Sequence, residues 1–300
     1  MNIPCVPDHP VDVLLDTDAF NEIDDQFAIS YMLASSDKLK VAAICAAPFF
    51  NENSSSPADG MEKSYDEILK LLKLAGHTEL SDRVFRGSDR YLSDEHTPVD
   101  SPAAREIVRL ALAHDGENPL YVVAIGAITN VASAILLCPE ITDKITVVWL
   151  GGHSRMMPDT REFNMNQDIA SARVIFGCGA PLVQLPCFGV VDIFATSEYE
   201  LRHWLSGKNK LCDYLVENTV AAANRYASGR PWTRVIWDVT AVAWLLNDGE
   251  RFMNSEIIHS PIPEYDGHYG YDSRRHLIRA VTHINRDALI EDLFDKLASM

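Results

Sequence analysis

The stretch VDVLLDTDAFNEIDDQFAISYML, residues 11–33, joins a short apolar run to a group of aspartates and a second apolar run. The first run, residues 11–18, has the length and aliphatic content of a buried β-strand. Asp24 and Asp25 open the second run, and acidic residues are favoured in the first turn of a helix. We therefore predict a strand followed by a helix, which is the repeating unit of a parallel α/β sheet.

Further apolar runs alternate with helical patterns along the rest of the chain. The predicted strands are VDVLLDTD (11–18), VAAICAAP (41–48), LYVVAIG (120–126), ITVVWLGG (145–152) and PLVQLPC (181–187). Parallel strands joined by crossover helices produce this alternation. No repeat or linker divides the chain, so we predict one α/β domain over residues 1–300, with a mostly parallel central sheet flanked by helices and an open, Rossmann-like core.

Apolar periodicity and capping residues indicate three of the helices. An apolar stripe with the spacing of one helix face covers residues 61–72. Ser101-Pro102 has the residue types of an N-cap and a first helical position. Residues 197–200 have the form of a capping box, and Gly207 is predicted to end the helix that follows.

Composition excludes several classes of partner. The formal net charge of −17 repels phosphate backbones, and no basic run interleaved with aromatic residues offsets it, so we predict no nucleic-acid partner. No apolar stretch is long enough for a membrane helix, and the first residues lack the pattern of a targeting peptide. The six cysteines are scattered without metal-ligand spacing, which is typical of reduced thiols. We therefore expect a cytoplasmic protein with no membrane partner.

The four aspartates of the opening stretch, Asp16, Asp18, Asp24 and Asp25, fall within ten residues at the exit of a predicted strand. Ligands of parallel α/β sheets bind at this edge. Side chains alternate along a strand, so Asp16 and Asp18 share one face. Acids in a first helical turn occur without any chemistry, because the helix dipole favours them. Four carboxylates placed together, however, repel one another unless a cation or a shared proton relieves them, which favours a functional site.

These aspartates resemble the hallmark D-T-D-x-x-x-D-D of the inosine-uridine nucleoside hydrolase family. Asp16-Thr17-Asp18 and Asp24-Asp25 match it, with five residues between them here instead of the usual three. Further similarities follow in the family's order: I-G-A-I-T-N at 125–130, V-W-L-G-G at 148–152, E-F-N-M-N-Q-D at 162–168, and Trp237-Asp238 in the place of a family His-Asp. Together these motifs extend over most of the chain and imply a nucleoside hydrolase-like fold.

The resemblance implies hydrolysis of the N-glycosidic bond of a ribonucleoside to free base and ribose. Asp18 would bind a metal ion and take a proton from the attacking water. Asp25, Asp238 and the main-chain carbonyl of Ile125 would be further metal ligands. An all-oxygen set favours Ca²⁺ or Mg²⁺ over zinc, and the family uses Ca²⁺.

Other matched residues would hold the substrate. Asp24, Glu162 and Asn164 correspond to residues that grip ribose hydroxyls, and Asn51 is the predicted counterpart of an asparagine after the second strand, with Asn53 as an alternative. Loop asparagines are also common turn formers, and Asp238 has the alternative of a helix N-cap. Asp16 is assigned to support of the loop.

Trp237 stands where many family members carry a histidine that is held to protonate the leaving base. Tryptophan at this place is found in purine-preferring members, so a purine preference is implied, with the base stacked between aromatic rings. The alternative is that Trp237 is a core residue. Candidates for the other ring are Phe49, Phe50, Tyr226 and Trp232. His153, which lies nearest a strand exit, His268 and His276 are alternatives for the missing acid, although no motif supports any of them.

Two other functions stay open at this point. One is a nucleoside- or ribose-binding protein that has lost catalysis together with the family histidine. The other is a haloacid dehalogenase-like phosphatase, which also begins with a strand and D-x-D, although that motif usually continues with glycine where this chain has Ala19. The family resemblance implies a small-molecule nucleoside as partner and a homodimer or homotetramer.

Overall fold

The structure is a computed structural model that describes residues 3–300. Its strands are β1 (Val11–Thr17), β2 (Leu39–Ala46), β3 (Val84–Arg86), β4 (Leu120–Ala124), β5 (Ile145–Leu150), β6 (Leu182–Leu185), β7 (Ala195–Thr196), β8 (Arg234–Val235), β9 (Met253–His259), β10 (Ile262–Pro263), β11 (Tyr269–Gly270) and β12 (Leu277–Ile284). Its α-helices are α1 (Asp24–Leu33), α2 (Pro57–Ala75), α3 (Pro102–Leu112), α4 (Thr129–Leu137), α5 (Phe163–Gln167), α6 (Ile169–Gly177), α7 (Glu198–Trp204), α8 (Lys210–Ala227), α9 (Val239–Trp244) and α10 (Arg286–Ala298). No helix among the described residues is long and apolar enough to cross a membrane.

Eight strands form the central sheet in the order β3-β2-β1-β4-β5-β6-β12-β9. All neighbouring pairs are parallel except β12 and β9, which are antiparallel. The predicted fold class is therefore confirmed, and the five predicted strands are β1, β2, β4, β5 and β6. The prediction did not include β3, which has three residues, or the pair β9 and β12, whose partly exposed residues lack a continuous apolar run.

Local signals placed the helix starts well. Ser101 accepts a hydrogen bond from the Ala104 amide at the start of α3, and the capping box of α7 is formed by Ser197 and Glu200. The predicted end of α7 is wrong, because the helix stops at Trp204. Gly207, with φ of 75°, lies in the turn beyond it.

Side-chain alternation along the buried strands gives the sheet two apolar faces. Val13 and Leu15 of β1 belong to one cluster, which includes residues of α1, α2, α8, α9 and α10. Leu14 belongs to the other, which includes residues of α3, α4 and α6. Both faces are covered, as parallel sheets require.

The strand order reverses at β1 and β4, since β2 lies on one side of this pair and β5 on the other. A crevice opens beyond the carboxyl ends of the strands at such a switch point. Asp18 follows β1 there and Ile125 follows β4, and the Ile125 amide bonds the Asp16 carbonyl at 2.9 Å. The fold thus brings the start of the aspartate motif beside residues 125–130.

Asn130, in the first turn of α4, fastens the loops around this crevice. Its Nδ2 donates to Asp16 Oδ1 at 2.8 Å and to the Ala46 carbonyl at 3.2 Å. Its Oδ1 accepts from the Ser88 amide at 2.7 Å and from the Ser88 hydroxyl at 2.9 Å. A Cβ at Gly87 would lie only 2.0 Å from the Ala46 carbonyl oxygen, so this approach requires glycine.

We expect Asn130→Ala to lower the free energy of unfolding by about 2–5 kcal/mol, because it leaves several buried donors and acceptors unpaired. Chemical denaturation of this variant and of Asn166→Ala, an exposed asparagine on α5, measures the difference. Equal stability of the two variants would contradict this role of Asn130.

Candidate active site

Three buried carboxylates meet where α1 packs against α9. Asp24 and Asp25 form the start of α1, and Asp238 occupies the N-cap position of α9. One oxygen from each residue lies within 4.8 Å of the others. Although Asp238 occupies the N-cap position, its side chain accepts no capping hydrogen bond, so capping does not account for this aspartate. The fold therefore brings two of the predicted metal ligands, Asp25 and Asp238, together from segments that are far apart in the sequence.

Asp18 lies beside this group but does not belong to the set of three. Both of its carboxylate oxygens are buried and lack a hydrogen-bond partner among the described residues, as does Asp24 Oδ1. A Cβ on Gly126 would lie 2.9 Å from Asp18 Oδ1, so the turn after β4 makes room for this carboxylate. Asp16 differs, because Asn130 binds one of its oxygens.

Burial dominates the electrostatics of the cluster. It raises the pKa of Asp25 to about 6, and together with the charge of Asp25 it raises the pKa of Asp24 to about 6. Burial and the neighbouring aspartate charges raise the pKa values of Asp18 and Asp238 well above the usual range. The pKa of Asp16 is raised to about 7, also by burial. Each aspartate is thus difficult to ionise in this site without a positive charge.

The nearby protein groups offset only part of this repulsion. Thr17 Oγ1 donates to Asp25 Oδ1 at 2.5 Å. Arg234 forms an ion pair with Glu22, a residue of the five-residue segment inside the aspartate motif, and its charge lowers the pKa of Asp24. Burial still prevails, and it raises the pKa of Glu22 to about 7.

The group fits a divalent cation of the hard, oxygen-binding kind. Its donors are carboxylate oxygens, with no cysteine or histidine in the set of three. Asp24 Oδ1 of the set and both oxygens of the neighbouring Asp18 are unpartnered within the part of the chain that the structure describes. Such a donor set suits Ca²⁺ or Mg²⁺. A bound cation would supply the positive charge that the surrounding residues lack.

A cavity of about 210 Å³ opens onto the cluster. It is lined by Asn21, Glu22, Asp24, Asp25, Ile125, Leu150, His153, Arg161, Glu162, Phe163, Asn164, Cys187, Phe188, Trp237 and Asp238. Carboxylates and aromatic rings therefore share one cavity, which suits a ligand with a polar part and a flat apolar part.

Glu162 and Asn164 line this cavity but are also bound to the backbone. Glu162 is the N-cap of α5 and accepts from the amides of Asn164 and Met165 and from that of Gly152. Asn164 Nδ2 donates to the carbonyls of Ile125 and Leu150, each at 3.1 Å. The carbonyl predicted to bind a metal is therefore already in contact with a predicted sugar ligand.

Asn51 does not line the cavity. Its Nδ2 donates to Asn21 Oδ1 at 2.5 Å, while Asn53 Nδ2 donates to the Asn21 carbonyl at 2.9 Å. Asn21 itself lines the cavity and was not predicted from the sequence, where it lies in the five-residue segment that is longer than the family's usual three. The two loop asparagines hold this segment in place.

The aromatic part of the cavity combines Trp237, which the sequence indicated, with Phe188, which it did not. The ring of Phe188 lies 5.5 Å from that of Trp237, edge to face, and Trp237 is partly buried at the margin of the core. None of the four predicted partner rings, Phe49, Phe50, Tyr226 and Trp232, is in the cavity lining. Phe49 is fully buried, and Tyr226 lines a neighbouring cavity.

Sequence comparison identifies the relatives of this site. The profile of inosine-uridine preferring nucleoside hydrolases matches residues 13–291. The chain belongs to this nucleoside hydrolase family. All the residues of the carboxylate cluster and all those that line the cavity fall within the matched segment.

Individual relatives match over shorter lengths. A pyrimidine-specific ribonucleoside hydrolase, RihB, from Escherichia coli O1:K1 / APEC is 33% identical over 113 residues, which are 37% of this chain and 34% of that protein. A RihB relative from Shigella boydii serotype 4 is also 33% identical over 113 residues, or 37% of this chain and 43% of the relative. The chain thus spans less than half of the curated relatives it matches.

Solved structures of nucleoside hydrolases share the whole fold. A plant nucleoside hydrolase, the PpNRh1 enzyme, aligns with a TM-score of 0.75 and 20% identity over 97% of this chain and 100% of its own. A purine-preferring ribonucleoside hydrolase from Gardnerella vaginalis aligns with a TM-score of 0.73 and 19% identity over 96% of this chain and 98% of its own. At these identities the likeness concerns the fold.

In this nucleoside hydrolase family member, we expect a rise in pH to lower the free energy of unfolding and a divalent cation to raise it. The folded pKa values of Asp24 and Asp25 are about 6, above the ordinary 3.8, so the folded state retains protons that the unfolded state has lost. The free energy of unfolding of the cation-free protein therefore falls as pH rises between these values. Thermal unfolding in a chelator, followed across this pH interval, measures the fall.

Near neutral pH, Ca²⁺ should raise the unfolding temperature, because it binds the ionised carboxylates of the folded state. Asp25→Asn should stabilise the cation-free protein and reduce the response to Ca²⁺. Asp37→Asn, at an exposed position after α1, should do neither. An unchanged Ca²⁺ response in Asp25→Asn would rule out this carboxylate as a ligand.

Proposed function

We propose that this chain hydrolyses the N-glycosidic bond of ribonucleosides and releases free base and ribose. The chain belongs to the nucleoside hydrolase family. The observation that carries the proposal is that one of its cavities is lined both by the cluster of Asp24, Asp25 and Asp238 and by the rings of Phe188 and Trp237. Carboxylates suit the polar sugar and the positive charge that develops on it, and aromatic rings suit the base.

Asp18 is the proposed general base. Asp18 is not itself in the cavity lining, but both of its oxygens are free of donors from the described residues and lie beside the carboxylate cluster that is. They are therefore available to accept a proton from a water held at the cluster. Asp18 would take a proton from the water that attacks the anomeric carbon. Asp16, bound by Asn130, would support the strand exit.

Ca²⁺ is the proposed cofactor, with Asp18, Asp25, Asp238 and the Ile125 carbonyl as its protein ligands. When bound, the ion would orient the attacking water and the ribose hydroxyls and lower the pKa of that water. The proximity of Asp24 to Asp25 and Asp238 supports an additional role in charge balance around the cation. The test of the cation is the Ca²⁺ response described above.

Asp24, Glu162 and Asn164 are the proposed sugar-binding residues, and Asn51 is proposed to support this site from outside the cavity lining. For Asn164, both contacts to carbonyls use Nδ2, which leaves Oδ1 to accept from a ribose hydroxyl. For Asn51, the hydrogen bond to Asn21 supports an indirect role, in which Asn51 positions a residue of the cavity. Glu162 likewise holds the Gly152 turn while it lines the cavity.

Purine nucleosides are the proposed preferred substrates, with Trp237 as an aromatic contact of the base. The Phe188–Trp237 pair supports this, since the larger ring system of a purine gains more from aromatic contact. Similar proteins include both a pyrimidine-specific and a purine-preferring hydrolase, so both base classes belong in the assay. A homodimer or homotetramer remains our prediction, which light scattering would test.

A phosphatase mechanism finds no support in this site. The first aspartate of a D-x-D phosphatase is its nucleophile, yet Asp16 is buried and one of its oxygens accepts a hydrogen bond from Asn130. A binding protein without catalysis remains the alternative, and the following assay distinguishes it.

We expect the native protein with Ca²⁺ to release free base from ribonucleosides, and Asp18→Asn to lower kcat by about 10²- to 10⁴-fold, the range typical of a lost general base. Release of base and reducing sugar from a purine and pyrimidine panel measures both. Asp12→Asn, near the start of the same strand, is the matched control. Binding of nucleosides without any release by the native protein would instead identify a binding protein.

A further inference from the structure

His153 lies in a segment that is fixed on both sides. The carbonyl of Gly152 accepts from the Cys187 amide at 2.8 Å, and the amide of Ser154 donates to the Phe188 carbonyl at 2.9 Å. Gly152 has φ of 74°, a conformation that favours glycine, and its amide donates to Glu162. The backbone on either side of this histidine is therefore held in one position.

One ring nitrogen of His153 accepts a hydrogen bond from the protein backbone, and the other has no partner among the described residues. Nδ1 lies 3.3 Å from the Phe188 amide, which donates to it, so the proton of the neutral ring is on Nε2. Nε2 has no hydrogen-bond partner among the described residues, and the side chain lines the cavity. Burial lowers the pKa of His153, which favours the neutral ring. His153 thus offers the cavity a neutral N–H donor.

The same ring belongs to the aromatic part of the cavity. The rings of His153 and Phe188 are 5.0 Å apart, and the ring of Trp237 lies 5.5 Å from that of Phe188. A flat heterocycle that packs on these rings would have its edge within reach of a donor from the same wall. The carboxylate group lines the rest of the cavity.

We propose that His153 Nε2 donates a hydrogen bond to the heterocyclic base of the bound nucleoside, at a ring nitrogen or carbonyl oxygen, and thereby activates the base as a leaving group. This inference rests on the proposed hydrolysis. Many family members activate the base with a histidine at the position before Asp238, where this chain has Trp237. In this chain the neutral His153, at the exit of β5, would perform that activation. Neutral imidazole acts as such a donor in other enzymes.

The hydrogen bond strengthens as the glycosidic bond breaks. The bond between the anomeric carbon and the base nitrogen cleaves, and its electron pair moves to the base. The water oxygen bonds to the anomeric carbon, one water proton passes to Asp18, and the other remains on the new ribose hydroxyl. His153 keeps its proton throughout. The departed base takes up one proton from solvent, and Asp18 releases the proton that it accepted to solvent, which restores the starting state. A donor aimed at developing charge stabilises the transition state more than the ground state.

The test compares two leaving groups. Nucleosides need stabilisation of the departing base, whereas the nitrophenolate of p-nitrophenyl β-D-ribofuranoside is stable as an anion. His153→Phe keeps a ring against Phe188 but removes the donor, and we expect it to lower kcat/KM for nucleosides about 100-fold. Its effect on the nitrophenyl riboside should be small. His153→Gln, which restores an N–H donor, should recover part of the loss.

His283→Phe, at an exposed position on β12, is the matched control and should behave as the native protein. Thermal unfolding checks that each variant is folded. An equal loss on both substrates, or no loss on nucleosides, would overturn the role of His153 while leaving the hydrolase function intact. A native protein inactive on both substrates would remove the proposed function and this inference together.

Discussion

Repulsion among buried carboxylates is the constraint on which this site depends. Asp18, Asp24, Asp25 and Asp238 are almost completely enclosed, and their raised pKa values reflect that enclosure. A fold tolerates such groups only when protons or a cation neutralise them. Asn130 holds the strand exit that precedes Asp18, and the packing of α1 against α9 brings the other three carboxylates together. Because the four carboxylates are held close together, protons or a cation must neutralise them inside the crevice.

The sequence was most informative where local rules and a motif coincide. The strand before Asp16 and the helix that begins at Asp24 follow from apolar runs and first-turn acids, and the match to family motifs linked Asp238 to them across the chain. No local rule could have made that link, because the contact depends on the packing of α1 against α9. The strands β9 and β12 were missed for a related reason: their pairing with each other and with β6 is a property of the tertiary fold.

The aromatic part of the site shows the limit of reasoning from loops. Phe49 and Phe50 follow a strand exit and were reasonable candidates, yet Phe49 points into the core and is fully buried. Phe188 instead reaches the cavity because residues 187–188 bond to the segment around His153. The proximity of the exits of β5 and β6 in the fold decides which rings line the cavity, and sequence spacing does not encode that proximity.

The Ile125 carbonyl has a further consequence through its contact with Asn164. One oxygen atom serves the proposed cation and is also held by an amide of the proposed sugar site, so the two ligands are not independent. Coupling between two binding sites is reciprocal. If the cation changes the affinity for the nucleoside by some factor, the nucleoside changes the affinity for the cation by the same factor. The proposed cation and the proposed nucleoside would then bind cooperatively, so the affinity measured for one would depend on whether the other is bound.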